Sequence, residues 1–281
     1  MKPGIYPWMP NQKYHDGPGV SNSDLTTLGT RSPAHYKYKK ENPTEPTDAM
    51  NVGQAFHTLT LEPHKFTDRF HIFQGEKRSK EKKEEWAAAE GSGKTVIREA
   101  KLEDVSGMVK AIRAHDDAAA LLDKMDSQYE KSLYWLDRRS GALCKVRPDI
   151  MPDPNIIPAL VDLKSCQPGA NRETVSWSRQ VGKFRYHVQA AYYLEGARKA
   201  TGIDYKTFIW ITVESEAPYG INVFQASKEM LAEGQAVYRR DLDLYADCLH
   251  QNIWPSYEEG VKTVNLMPWD KSGLLYNENS E

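Results

Sequence analysis

Cysteine is scarce in this 281-residue chain: Cys144, Cys166 and Cys248 are widely separated and odd in number, which excludes a disulfide framework and a four-thiolate zinc or iron-sulfur site. No apolar run approaches the ~20 residues that a bilayer crossing needs. The opening MKPGIYPWMP lacks the charged-then-apolar layout of a secretory signal. A reducing, cytoplasmic setting without membrane attachment is therefore the expectation. Excess charge of one sign is missing too: 37 Lys and Arg face 39 Asp and Glu, for a formal net charge of -2. That balance excludes a strongly basic nucleic-acid coat protein, yet permits a local basic channel. Internal repeats and low-complexity tracts are also lacking.

What is present suits a globular α/β protein. Hydrophobic residues make up 40% of the chain and charged residues 27%, enough for a substantial core. The length fits one elaborated domain as well as two, and one domain over 1–281 is the expectation. Prolines and glycines crowd residues 1–20 and predict an irregular, wrapping arm. The run SNSD at Ser21–Asp24 supplies caps for a helix running toward Tyr38, and a second helix is expected over Val52–Leu61. Glu76–Glu85 has no apolar residue, so it reads as a solvated helix or a mobile loop. From Lys101 to Met125 the apolar spacing is helical. Ser132–Leu136 and Ala142–Val146 flank the turn DRRSG and predict a strand pair, and Ile156–Lys164 reads as a central strand. A helical region follows through about Arg198, then strands over Thr207–Glu214 and Gly220–Gln225, then a long helix over Lys228–His250. The polar tail from Lys271 is expected to fray. This order predicts a central β-sheet flanked by helices.

Chemistry concentrates at Pro148-Asp149 and at Asp162-Leu163-Lys164, thirteen positions after that aspartate. Side chains at i and i+2 of a strand share a face, so Asp162 and Lys164 point together while Leu163 enters the core. A neighbouring strand can bring Asp149 beside Asp162. Two close carboxylates both stay ionised when a hard divalent cation sits between them, magnesium being the first candidate and manganese the second. The Leu163 carbonyl could add a ligand. Such a site suits hydrolysis of a phosphodiester, with the cation activating water and Lys164 orienting it or neutralising charge. The alternative is an ordinary Asp and Lys on a solvated strand face, against which stand the apolar Leu160 and Val161 that precede them.

These motifs resemble those of the RecE exonuclease (exodeoxyribonuclease VIII) branch of the PD-(D/E)xK nucleases, and further matches follow in order along almost the whole chain. They are Tyr14 to Ser21 with Ser32-Pro33-Ala34, Gly53 to His57 with Leu61-Glu62-Pro63, Cys144 to Asp149, Val161 to Ser165, Tyr186 to Tyr193, and Ala246 to Leu249 with Trp254-Pro255. The resemblance implies the PD-(D/E)xK fold, a mixed central sheet flanked by helices. It implies that Asp149 and Asp162 bind metal, that Lys164 assists the water, and that His57 lies at the metal as ligand or hydrogen-bonding neighbour. Gln189 and Tyr193, one helical turn apart, would position the phosphate or the lysine. It further implies a 5′ to 3′ exonuclease acting on linear double-stranded DNA ends, a homo-oligomer (a tetramer), and a single-strand annealing protein as partner.

Other residues carry less. Glu130 is a further candidate carboxylate, with a surface salt bridge as its alternative. Arg147, Arg179, Lys183 and Arg185 gather around the motifs and could neutralise DNA phosphates. Trp177 could guide strand ends, with core packing as its alternative. Gly91-Ser92-Gly93-Lys94-Thr95 imitates the end of a phosphate-binding loop, but Ala88 stands where its first glycine belongs and no buried strand precedes it. An ATP site is rejected, leaving Lys94 as a possible DNA contact. Two rival readings stay open: an endonuclease of a defence or restriction system with the same chemistry, and a DNA-binding or recombinase-recruiting module with a vestigial site.

Overall fold

The structure, a computed structural model, describes residues 1–123 and 127–267. In chain order these form β1 (Gly4–Tyr6), α1 (Asn11–Asp16), α2 (Asn22–Thr30), α3 (Pro33–Glu41), α4 (Asp48–Leu61), α5 (Phe66–Arg69), β2 (Phe70–Phe73), α6 (Lys80–Gly91), β3 (Thr95–Arg98), α7 (Glu99–Ala114) and α8 (Asp116–Asp123). There follow β4 (Gln128–Tyr129), β5 (Ser132–Leu136), β6 (Leu143–Val146), β7 (Ile150–Met151), β8 (Ala159–Cys166), α9 (Thr174–Phe184), α10 (Tyr186–Thr201), β9 (Thr207–Glu214), β10 (Ile221–Gln225) and α11 (Lys228–Gln251).

The central sheet has the order β10-β9-β8-β7-β4, with β8 and β9 parallel and the other pairs antiparallel. Its parallel pair is joined through α9 and α10, the crossover that parallel strands require. Alternation along β8 decides which layer covers which face. Val161 and Leu163 pack with Phe56 of α4 and Val105 and Ile112 of α7. Leu160 packs on the opposite side with Val188 and Tyr192 of α10 and Tyr238 of α11. Asp162 and Lys164 belong to that second face by the period of two. A separate three-stranded sheet, β1-β5-β6, closes against α10 through Leu133, Trp135 and Val146. A parallel pair, β2 and β3, completes the strands.

Several local expectations are refined. The helix expected from Ser21 toward Tyr38 divides, because Ser32 caps a new helix with Pro33 in its first turn; the Ser21 and Asp24 capping box itself is formed. The helix expected over Lys101–Met125 also breaks, with extended backbone at His115, and Met125 lies outside the described residues. Residues 1–20 are irregular over more than half their length, and within them β1 pairs with β5 and α1 follows. Lys145 fastens this segment by donating to the carbonyls of Tyr14, His15 and Gly17 at 2.6, 3.2 and 2.6 Å. Glu76–Glu85 is exposed and enters α6 at Lys80. The tail from Lys271 lies outside the described residues. Among the described residues, no helix is long and apolar enough to cross a membrane.

Candidate active site

The site forms where the chain leaves the small sheet for the central one. Asp149 follows β6 and precedes β7, whose Ile150 pairs with Val161 of β8. This register sets the Asp149 carboxylate beside β8, where Oδ2 accepts the Leu163 amide at 2.7 Å. His57, in the last turns of α4, places Nδ1 3.5 Å from the same oxygen. Glu130 joins from the junction of β4 and β5, where its amide donates to the Asp149 carbonyl at 3.1 Å. Its φ of 50° is a left-handed conformation that L residues rarely adopt, and such outliers concentrate at functional sites. One ligand atom each from His57, Glu130 and Asp149 lies within 4.8 Å of the others.

Asp162 and Lys164 form the second half. Lys164 Nζ is 2.5 Å from Asp162 Oδ2, and Gln189 of α10 donates to Asp162 Oδ1 at 3.0 Å. The Lys164 ammonium also sits 5.0 Å from the Tyr186 ring centroid. Tyr193 lies one helical turn beyond Gln189 on α10. Two helices from opposite layers thus supply the side chains that hold the two strand carboxylates.

Crowding of charge is visible in the protonation equilibria. Burial, reinforced by the Asp149 charge, pushes Glu130 up to about 7. Burial likewise lifts Asp162 to about 6, against the Lys164 ammonium and with the help of Asp149. Burial disfavours the His57 imidazolium, but the Asp149 charge and hydrogen bond outweigh it and raise His57 to about 9. Asp149 itself is held below the usual carboxylate value, because His57, Lys164 and the Leu163 amide overcome its burial. Lys164 is raised despite burial by Asp162 and Asp149, so it stays cationic. Tyr193 is raised by burial and by both aspartates, and stays a phenol. Three carboxylates, Glu130, Asp149 and Asp162, thus share one buried point with the His57, Lys164 and Arg147 cations, and carboxylate oxygens so crowded are the donors that a hard divalent ion takes.

Each expected residue now has a place. His57, Asp149, Asp162, Lys164, Gln189 and Tyr193 converge, and Glu130 lies both beside His57 and Asp149 and in an ion pair with Arg147 at 3.6 Å, so its salt-bridge alternative is also met, at a part-buried position. Asp162 is outside the His57, Glu130 and Asp149 trio, held instead by Lys164 and Gln189. Leu163 contributes its amide to Asp149.

Arg147 and Arg185 depart from the expectation of phosphate contact. Arg147 is buried: it donates to the Met9 carbonyl, to Asn11 Oδ1 at 2.9 Å and to the Glu130 carbonyl at 3.1 Å. It thus ties the N-terminal segment to the backbone of Glu130, a role with no local signal in the sequence. Arg185 has φ 59° at the break between α9 and α10, and its buried guanidinium pairs with Asp241 of α11. Arg179 and Lys183 line a cleft beside the site. Lys94 donates to the Thr67 carbonyl at 2.7 Å, in a turn that leads from helix into strand, the reverse of a phosphate-binding loop. Trp177 is buried in the core.

A mixed sheet flanked by helices, with an aspartate after one strand and an Asp-x-Lys on the next, defines a PD-(D/E)xK nuclease fold. The chain belongs to the family described as PDDEXK-like domain of unknown function (DUF3799), which matches residues 21–266. Among solved structures, a crystal structure from Eubacterium rectale described as a "Putative exonuclease" is similar, with a TM-score of 0.60 and 15% identity over 90% of this chain and 96% of that one. At that identity the likeness concerns the fold. No curated protein matches the chain.

Proposed function

We propose that the chain is a single nuclease domain of RecE type, a magnesium-dependent exonuclease that degrades one strand of linear double-stranded DNA from its 5′ end and leaves a 3′ single-stranded tail for recombination. The observation that carries the hydrolase part is the convergence of Asp149 with His57 and Glu130 on one side and with Asp162 and Lys164 on the other. Polarity, a tetrameric assembly and a single-strand annealing partner rest on the motif resemblance.

The donor set suits a hard divalent ion: carboxylates and one imidazole crowded at a partly buried point, with Glu130 and Asp162 raised by burial and by the Asp149 charge. Asp149, Glu130 and His57 would hold it, and Asp162 and the Leu163 carbonyl would join them on a turn of the Asp162 carboxylate away from Lys164. When bound, magnesium, or manganese in its place, would supply charge neutralisation for the scissile phosphate and acidify water for attack. The protein's own groups do the rest. Lys164 is a fixed ammonium beside Asp162 and donates to a phosphate oxygen or to the attacking water. Gln189 fixes the Asp162 carboxylate, and Tyr193, one turn further along α10, would position the phosphate or the lysine.

Linear duplex labelled at either 5′ or 3′ end, incubated with magnesium, tests this reading. Wild type should release 5′-terminal label first, while Asp162→Ala and Lys164→Ala should be inert. Equal rates for all three proteins would defeat the hydrolase assignment, and cutting of covalently closed circles at the linear rate would defeat the exonuclease assignment.

A further inference from the structure

Asp162 faces two demands. Its Oδ2 lies 2.5 Å from Lys164 Nζ, yet joining His57, Glu130 and Asp149 at a divalent ion requires the carboxylate to turn away. A lysine whose anion has turned away needs another partner, because its long flexible stem otherwise lets the ammonium drift from the reacting phosphate. The Tyr186 ring supplies one: Lys164 Nζ lies over it, 5.0 Å from the centroid. Only 16% of the lysine side chain is exposed, and a cation over an aromatic face is worth more in such a desolvated place than at the surface.

The fold locks this ring from several sides. It belongs to the first residue of α10, directly after Arg185, whose φ of 59° marks the break between α9 and α10. That break is pinned: the Arg185 guanidinium pairs with buried Asp241 of α11, and its carbonyl accepts the amides of Val188 and Gln189 at 3.0 and 3.2 Å. Trp177 lies against the Tyr186 ring at 5.7 Å and 29°, and Phe184 at 5.5 Å and 28°. Trp177 is buried and rests in turn on Phe224 of β10 at 5.6 Å and 9°. The ring therefore has little freedom to tilt or slide. Three residues further along α10, Gln189 holds the other member of the ion pair by donating to Asp162 Oδ1. One face of one helix thus presents an amide to the acid and an aromatic ring to the ammonium.

We propose that Tyr186 is a positioning residue for the hydrolysis: its ring face holds the Lys164 ammonium in place when Asp162 turns from it. The inference rests on the nuclease reading of the site. It assigns the role to the electron-rich face and not to the phenol oxygen, since attraction of a cation to the ring needs no hydroxyl.

Ring substitutions test it on end-labelled duplex in magnesium. Tyr186→Leu should lower kcat about 10- to 30-fold with KM little changed. Tyr186→Phe, which retains the face, should restore most of that rate. Phenylalanine analogues with one, two and three ring fluorines at position 186 keep the packing against Trp177 but drain negative potential from the face, so log kcat should fall stepwise along the series. A ring with a structural role alone would give one kcat throughout, and that result overturns the proposal. So does a phenylalanine variant as slow as leucine, which would place the role in the hydroxyl. A leucine effect confined to KM overturns it too, by making the ring a substrate contact. A second measurement needs no cleavage. Protons over a ring face are shielded, so the Lys164 ammonium protons, observed through 15Nζ and assigned by their loss in Lys164→Arg, should resonate upfield of other lysines and move downfield in Tyr186→Leu. An unshifted signal sinks this inference whatever the protein cuts. Shielding that Tyr186→Leu abolishes, in a protein that cuts no DNA, defeats the nuclease reading while the contact between ring and ammonium stands.

Discussion

Asp149 and Leu163 are joined across two strands: the Leu163 amide donates to Asp149 Oδ2 at 2.7 Å, in a region where β7 and β8 share the single register pair Ile150 and Val161. The carboxylate thus stands where a strand hydrogen bond would otherwise be, and one oxygen serves both backbone and site. Asp149→Asn keeps an oxygen for the amide but removes the charge. Thermal melting should be little changed while cleavage falls roughly 100- to 1,000-fold. Initial rates on end-labelled duplex in magnesium check this, and a variant as fast as wild type would remove Asp149 from the chemistry.

Arg147 makes a different demand. Its guanidinium satisfies acceptors on Met9, Asn11 and Glu130, all reached from a buried position. Arg147→Met leaves those acceptors without a donor and should cost about 2–4 kcal/mol in urea unfolding. Arg147→Lys retains the charge but lacks the planar fork, so manganese affinity, followed by titration, should drop about 10- to 100-fold as Glu130 loses its anchor. Unaltered affinity in a folded lysine variant would show that Glu130 is positioned without it.

Acid stability has an identifiable contributor. Burial alone would raise the Asp137 carboxyl, but the Arg239 fork, with two contacts of 2.9 Å, and the Ser140 hydroxyl and amide bring it down to about 2. A depressed acid stabilises the fold fully above its unfolded value of 3.8 and ceases to do so as pH falls through 2. Wild type should therefore lose stability over that window. Asp137→Asn should be less stable at neutral pH and show a flatter profile there. Urea midpoints measured against pH decide it, and parallel profiles for the two proteins would count against the pair.

Close helix contact gives a further expectation. A Cβ at Gly234 of α11 would lie 2.1 Å from the His187 carbonyl of α10, a backbone atom that cannot turn aside. Gly234→Ala should force the two helices apart and cost about 1–3 kcal/mol or more, despite alanine's better helix propensity. Chemical denaturation measures this, and a neutral effect would mean that the helices separate freely.

Long elements are legible in the sequence because burial along their length imposes a sustained apolar pattern, on both faces of the central strands and on one face of the long helix. The strands around Asp162 and Trp210 and the helix α11 are of this kind. The strands β1, β2 and β3 are three or four residues long and owe their existence to partners distant in the chain, such as Leu133 for Ile5. No local pattern specifies such pairing. The same division runs through the site. Asp149, Asp162 and Lys164 carry a signal because charges interrupt an apolar strand at fixed spacing. Glu130 depends on a left-handed backbone and on its hydrogen bonds to Asp149 and Arg147. Arginines are ambiguous in sequence, since an interior clamp such as Arg147 and a phosphate contact require the same guanidinium.

His57, Glu130, Asp149, Asp162 and Gln189 arrive on five separate stretches of chain, from α4 to α10 and across two sheets. A polypeptide emerging from the ribosome cannot assemble that centre until its latest contributors have been made and docked. Cutting ability would then switch on only with completion of the fold, and half-made copies would be inert.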